Sequence, residues 1–293
     1  MQHTKPFWRS FRHLAATAVT GLSLIVGGQA LADNDSKGTV HLAYVEWSSE
    51  VASTNVLRAL LEKAGFDVKT SALSAAAMWQ AVASGDADAT TAAWLPTTHQ
   101  EYYERLQDDI VDVGVNLDGT KLGLAVPAYV EVDSITELND VADQFNNEII
   151  GIDPGAGLQG LTEDVVDEYG LSLRLRDGSD ATMTAALANA VMNDEPIIVT
   201  AWTPHWKFAR WDLKYLDDPK GVYGGAEQIH TIARTGLADD MPEAYAILER
   251  FEWTPADMEA VMLLNEEPGS DPYENAKQWI EDNEDRVKQW LGE

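Results

Sequence analysis

The chain has 293 residues, 45% of them apolar, with ten tryptophans, no cysteine, and 49 acidic against 20 basic side chains, a formal net charge of −29. That apolar content excludes a disordered chain, and the lack of cysteine excludes a disulfide scaffold, a thiolate metal site, a cysteine nucleophile and a lipid-modified N-terminal cysteine. So negative a field repels nucleic acid and anionic lipid, which removes both as partners.

Residues 1–32 read as a cleaved export signal. Lys5, Arg9 and Arg12 precede an apolar run from Leu14 to Val26, and Ala30-Leu31-Ala32 offers the small-x-small pattern for cleavage after Ala32. No later segment approaches the roughly 20 consecutive apolar residues of a membrane span. The expected mature protein is exported and free, most simply in a periplasm. The acids are spread along the chain rather than clustered, which suits a solvated surface in high salt better than a ligand site.

After a polar tether, 33–38, strands and helices alternate. Thr39–Val45 reads as a buried strand, Ser53–Gly65 as a helix ending in glycine, Phe66–Thr70 as a strand, Ala75–Ser84 as a helix stopped by Gly85, and Ala87–Ala93 as a third strand. The pattern then recurs. Glu148–Ile152 is a strand, Leu158–Tyr169 a helix, Leu171–Arg176 a strand, Thr182–Met192 a helix and Pro196–Ala201 a strand. Ala93-Trp94-Leu95-Pro96 and Ala201-Trp202-Thr203-Pro204 close the two series at corresponding places, so the reading is a duplicated α/β unit. The expected organisation is lobe 1 over 39–127, lobe 2 over 128–228, and a return to lobe 1 over 229–293. Gly123–Pro127 would make the first crossing, Gln228–Ile232 the return, and helices from Pro242 to Trp290 would finish lobe 1.

In such sheets ligands sit beyond the carboxyl ends of strands. Trp47, Trp94 and Trp202 all lie there. An indole face attracts a cation without needing a proton from it, which suits an N-methylated ammonium group that has none to give. From position alone the three could equally be core tryptophans. Trp79, Trp253, Trp279 and Trp290 sit in helical patterns and read as core. Asp153-Pro154-Gly155-Ala156-Gly157-Leu158 is a glycine-rich turn into a helix, and its free N–H groups could hold an anion. The same loop, Gly155 to Gly160, spells the dinucleotide fingerprint with Asp177 after the next strand, so the rival reading is an exported nucleotide-dependent oxidoreductase. Asp153-Pro154 intrudes where that fingerprint needs a tight turn, and the rival leaves the tryptophans unused. No nucleophile elbow or zinc-binding H-E-x-x-H is present in the sequence, and no metal or cofactor is expected.

Five ordered motifs carry a family resemblance: Trp94–His99, Gly151–Gly157, Thr200–Trp206, Leu213–Pro219 and Ile229–Arg234. Together they resemble the glycine betaine-binding subunits of ABC importers across essentially the whole mature chain. The resemblance implies a type II periplasmic-binding-protein fold, two α/β lobes joined by a hinge and closing on the ligand. Some relatives carry the two halves in the opposite order. It implies a cage of Trp47 and Trp94 from one lobe and Trp202 from the other. The ligand carboxylate would be held by the backbone N–H groups of Gly157 and Leu158 and by the His99 side chain. His205 has no ligand role in that scheme. It implies no enzymatic chemistry, and a monomer that hands its ligand to a membrane permease driven by a cytoplasmic ATPase.

Overall fold

The computed structural model describes residues 36–293. The export signal, its cleavage after Ala32 and residues 33–35 of the tether lie outside the described residues. Strand β1 (Thr39–Tyr44) runs into Trp47, and α1 (Ser48–Lys63) begins at once. This is five residues before the expected start. Trp47 gives α1 no side-chain cap. The missing cap comes from far along the chain, where the Asp180 carboxylate accepts from the Ser48 N–H at 2.8 Å. A helix start stabilised from 132 residues away leaves no local signal.

Strand β2 (Asp67–Ala72), α2 (Ala75–Ser84, ended by Gly85 at φ 79°) and β3 (Ala89–Leu95) complete the first unit. Every side chain of β3 is buried, because the strand lies inside the sheet. Short α3 (Gln100–Leu106) leads to β4 (Ile110–Pro127), 18 residues long. A 3₁₀ segment, Ile135–Phe145, precedes the second unit: β5 (Glu148–Ile150), α4 (Gly157–Tyr169), β6 (Arg174–Arg176), α5 (Asp180–Met192) and β7 (Val199–Thr203). There follow α6 (Trp206–Arg210), β8 (Leu213–Tyr215) and β9 (Glu227–Arg234). Helices α7 (Leu237–Asp240), α8 (Pro242–Arg250), α9 (Pro255–Asn265), α10 (Pro272–Asp282) and α11 (Glu284–Leu291) end the chain.

The strand order is β2-β1-β3-β9-β4-β7-β5-β6, with β8 on β4. Its two ends have matching topology. β1 is parallel to β2 and β3, β5 is parallel to β6 and β7, and each unit meets one antiparallel neighbour, β9 beside β3 and β4 beside β7. The two Trp-containing turns also share a cis X-Pro bond, at Leu95-Pro96 and Thr203-Pro204. β4 connects the halves: Ile110 to Thr120 pair with β9, and Lys121 to Ala125 with β7. The first crossing is therefore at Thr120–Lys121, not at Gly123–Pro127, whose residues already pair with β7 and β8. The strand carries a bulge between Asp118 and Thr120, with Gly119 at φ 88°, just before it changes partner.

Trp253, Trp279, Trp290 and Phe251 pack together among the C-terminal helices, with ring centroids 4.9–6.0 Å apart. That cluster accounts for three of the ten tryptophans as core.

Candidate functional site

The duplicated topology brings the carboxyl ends of β1, β3 and β7 and the start of α4 to one place. There a small cavity is lined by Trp47, Trp94, His99, Gly157, Leu158 and Trp202, together with Ser49, Thr98, Leu122, Ile152 and Ala156. The first six are the residues singled out from the sequence. Among them Trp47 is 7% exposed, and Trp94 and Trp202 are each 4% exposed, so the three indole faces are shielded from bulk water.

Each wall has its own support. The Trp47 indole N–H donates to Asp153 Oδ2 at 2.6 Å, so an acid before the glycine turn fixes an aromatic from the other half of the sheet. Trp94 is followed by a turn whose Thr97 and Thr98 N–H groups and Thr98 hydroxyl all donate to the buried carboxylate of Glu227, at the start of β9. That turn carries His99. Its Nδ1 accepts from the Trp94 N–H at 3.1 Å, which leaves the proton of the neutral ring on Nε2. Burial lowers His99 to about 4, the Ala92 carbonyl partly offsetting it, so the ring is neutral at physiological pH. Trp47, Trp79 and Tyr102 surround it at centroid distances of 6.0, 5.8 and 6.0 Å. Trp79 is thus more than core filling, because it holds His99 from behind.

The α4 side supplies donors. Its N-cap residue Ala156 makes no side-chain cap, so the N–H groups of the first turn keep their hydrogen-bonding capacity where the helix meets the cavity. Gly157 is obligatory there. A Cβ at that position would stand 2.0 Å from the Thr98 carbonyl oxygen and 2.7 Å from Thr98 Cγ2. Nearby, the Tyr102 hydroxyl donates to the Gly155 carbonyl at 2.7 Å, and Gly155 has φ 86°. The halves are also tied by Asp180, which accepts from the Ser48 hydroxyl at 2.6 Å and bonds His205 Nε2 at 3.0 Å. His205 Nδ1 accepts from the Lys207 N–H at 3.1 Å. His205 is therefore a buried link in the scaffold behind Trp202.

Chemically the arrangement offers aromatic faces for a cation and a neutral N–H plus a helix N-terminus for an anion. It offers nothing to a dinucleotide. Gln159 fills the space beside Gly151, where its Oε1 accepts from the Ile152 N–H, and its Nε2 donates to Asp177 Oδ1 at 3.0 Å. The acid of the fingerprint is spent inside the loop, and the Thr98 turn occupies the approach to Gly157.

Residues 38–282 match the family described as the substrate-binding domain of ABC-type glycine betaine transport systems. The chain belongs to this family. It is 49% identical over 155 residues to the glycine betaine/carnitine transport binding protein GbuC of Listeria monocytogenes, covering 52% of this chain and 51% of that protein. The chain thus spans about half the length of this relative. The lactococcal OpuAC in its closed form with glycine betaine superposes with a TM-score of 0.83 at 44% identity, over 87% of this chain and 99% of that one. The glycine/betaine/L-proline-binding protein ProX of Borrelia burgdorferi gives a TM-score of 0.84 at 40% identity, over 86% and 96%. The fold is that of the α/β periplasmic binding proteins, and the family is one of extracytoplasmic, non-enzymatic substrate-binding components of ABC importers. The oxidoreductase reading of Gly155–Gly160 is set aside.

The sequence reading missed Ser49, Thr98, Leu122, Ile152 and Ala156 as lining, and Asp153, Glu227 and Asp180 as supports. Thr98 sits inside a quoted motif and could have been found. Glu227 and Asp180 act across the fold, and nothing local marks them.

Proposed function

We propose that this protein captures glycine betaine, or a closely related quaternary ammonium zwitterion, in the cavity between its halves. The trimethylammonium group sits among Trp47, Trp94 and Trp202. The carboxylate accepts from the N–H groups of Gly157 and Leu158 and from His99 Nε2. The observation that carries this reading is that three shielded indoles share one small cavity with a neutral imidazole donor and an uncapped helix start. A zwitterion with its charges one methylene apart needs both halves of such a site. A cation alone would leave the N–H groups at the start of α4 without a partner, which disfavours choline against betaine.

The ligand-loaded monomer then delivers its cargo to a membrane permease with a cytoplasmic ATPase, after export and cleavage following Ala32 into the periplasm. Osmoprotection is the purpose we assign, and the excess of acidic residues suits a saline exterior. Calorimetric titration of the mature protein with glycine betaine, proline betaine, carnitine and choline tests the reading. Betaine should bind, and choline more weakly. Absence of binding by every onium compound would contradict it.

A further inference from the structure

Behind the cage stands a buried lysine that the proposed function does not use. Lys207, on α6, is 0% exposed, and its Nζ has no hydrogen-bond partner among the described residues. No carboxylate lies within 4.0 Å of it: Asp180, the acid facing it, is already engaged by Ser48 and His205. What Nζ does meet is the face of Trp202, 4.0 Å from the ring centroid. Trp202 lines the cavity and Lys207 does not, so the one indole borders both the cavity and the buried ammonium.

We propose that Lys207 sets the affinity of the cage through Trp202, its ammonium and a cationic ligand competing for the same ring, so that ligand capture expels the lysine proton. The inference rests on the onium-binding reading above. Two positive charges beside one indole repel through a medium that screens poorly, and each draws on the same π density. A neutral amine in that place removes both penalties. The lysine is poised for the change, because burial lowers it to about 7, the Asp180 charge partly opposing this.

The other titratable groups around it are accounted for. Burial and the Lys207 charge lower His205 to about 4, so it stays neutral. Burial pushes the Asp180 carboxyl up, but His205, Lys207 and Ser48 outweigh this and hold it well below the usual range, so it stays ionised. Arg210, on the same helix as Lys207, sets its guanidinium over the Trp206 ring. Glu266, just after α9, raised by burial and then by Asp180, and Glu50 on α1, raised well above the usual range chiefly by burial, would also favour a cation as they ionise with rising pH. Any effect from Glu266 or Glu50 survives when Lys207 is replaced, which separates them from the lysine.

The test measures glycine betaine affinity of wild type and Lys207→Met from about pH 5.5 to about pH 8.5, a range that brackets the lysine. Wild-type affinity should rise about tenfold across it. Lys207→Met should lose most of that slope and should bind at low pH nearly as tightly as wild type does at high pH. A second measurement needs no variant. Calorimetry near neutral pH in buffers of different ionisation enthalpy should show wild type releasing roughly half a proton on binding. Flat wild-type affinity, no proton release, or an unchanged pH slope in Lys207→Met would overturn the proposal while leaving the onium site standing. No betaine binding at any pH would sink both.

Discussion

The Thr98 carbonyl oxygen lies 2.0 Å from where a Cβ on Gly157 would stand. These residues belong to opposite halves of the sheet, one on the turn after β3 and the other opening α4. The closed cavity exists because the chain can touch itself here without a side chain. Gly157→Ala must push the halves apart, since backbone cannot rotate away as a side chain can. Overpacking of this kind costs about 1–3 kcal/mol. Betaine affinity should fall by roughly tenfold or more while each half keeps its fold. Calorimetry alongside thermal unfolding checks this, and unchanged affinity would mean that closure does not depend on the contact.

The cage tryptophans should each matter. A partly desolvated cation–π face contributes about 0.5–2 kcal/mol. Replacing Trp47, Trp94 or Trp202 singly by Ala should weaken betaine roughly 2- to 30-fold, and more where packing is also lost. Phe or Tyr at the same positions should hurt less. Full affinity in all three Ala variants, measured by calorimetry, would end the cage account.

The buried histidines should govern acid stability. Burial lowers both His99 and His205 from 6.5 to about 4, so the unfolded chain binds protons that the folded chain refuses. Stability from these groups is full above pH 6.5 and falls as pH drops toward 4. Denaturant unfolding across that window should show a slope worth up to two protons. His99→Gln should reduce it by up to one. An unchanged slope would mean that His99 is already protonated in the folded protein.

Closure should follow the ligand. Trp47 to Asp153, Ser48 to Asp180 and Tyr102 to Gly155 are hydrogen bonds between halves, and a ligand touching both halves favours the form in which they are made. Small-angle scattering should therefore show a smaller radius of gyration at saturating betaine, and tryptophan emission should change with it. Indifference of both signals to a ligand that calorimetry shows bound would place the site within one half.

Much of this was legible in the sequence because hydrophobic alternation, glycine stops and the two Trp-x-Pro turns are local signals. They placed β1 to β3 and β5 to β7 to within a few residues, and they put three tryptophans at strand ends. The start of α1 was misjudged because its cap, Asp180, arrives from the second unit. The crossing lies beside a bulge at Asp118-Gly119, a local signal upstream of the Gly123 that the sequence reading favoured. Trp79 read as core on its helix, and only the tertiary fold sets it against His99. For α1 and Trp79 the deciding partner lies far along the chain, where periodicity carries no information.

The central claim is that the cavity recognises positive charge on a methylated nitrogen through indole faces. The most direct measurement compares glycine betaine with tert-butylacetate, in which carbon replaces the ammonium nitrogen and shape and carboxylate are kept. With three cation–π faces at stake, betaine should bind about 30-fold tighter or more in side-by-side calorimetry on the mature protein. Equal affinity for the two would show that the cage reads only shape and the carboxylate, and would contradict the account.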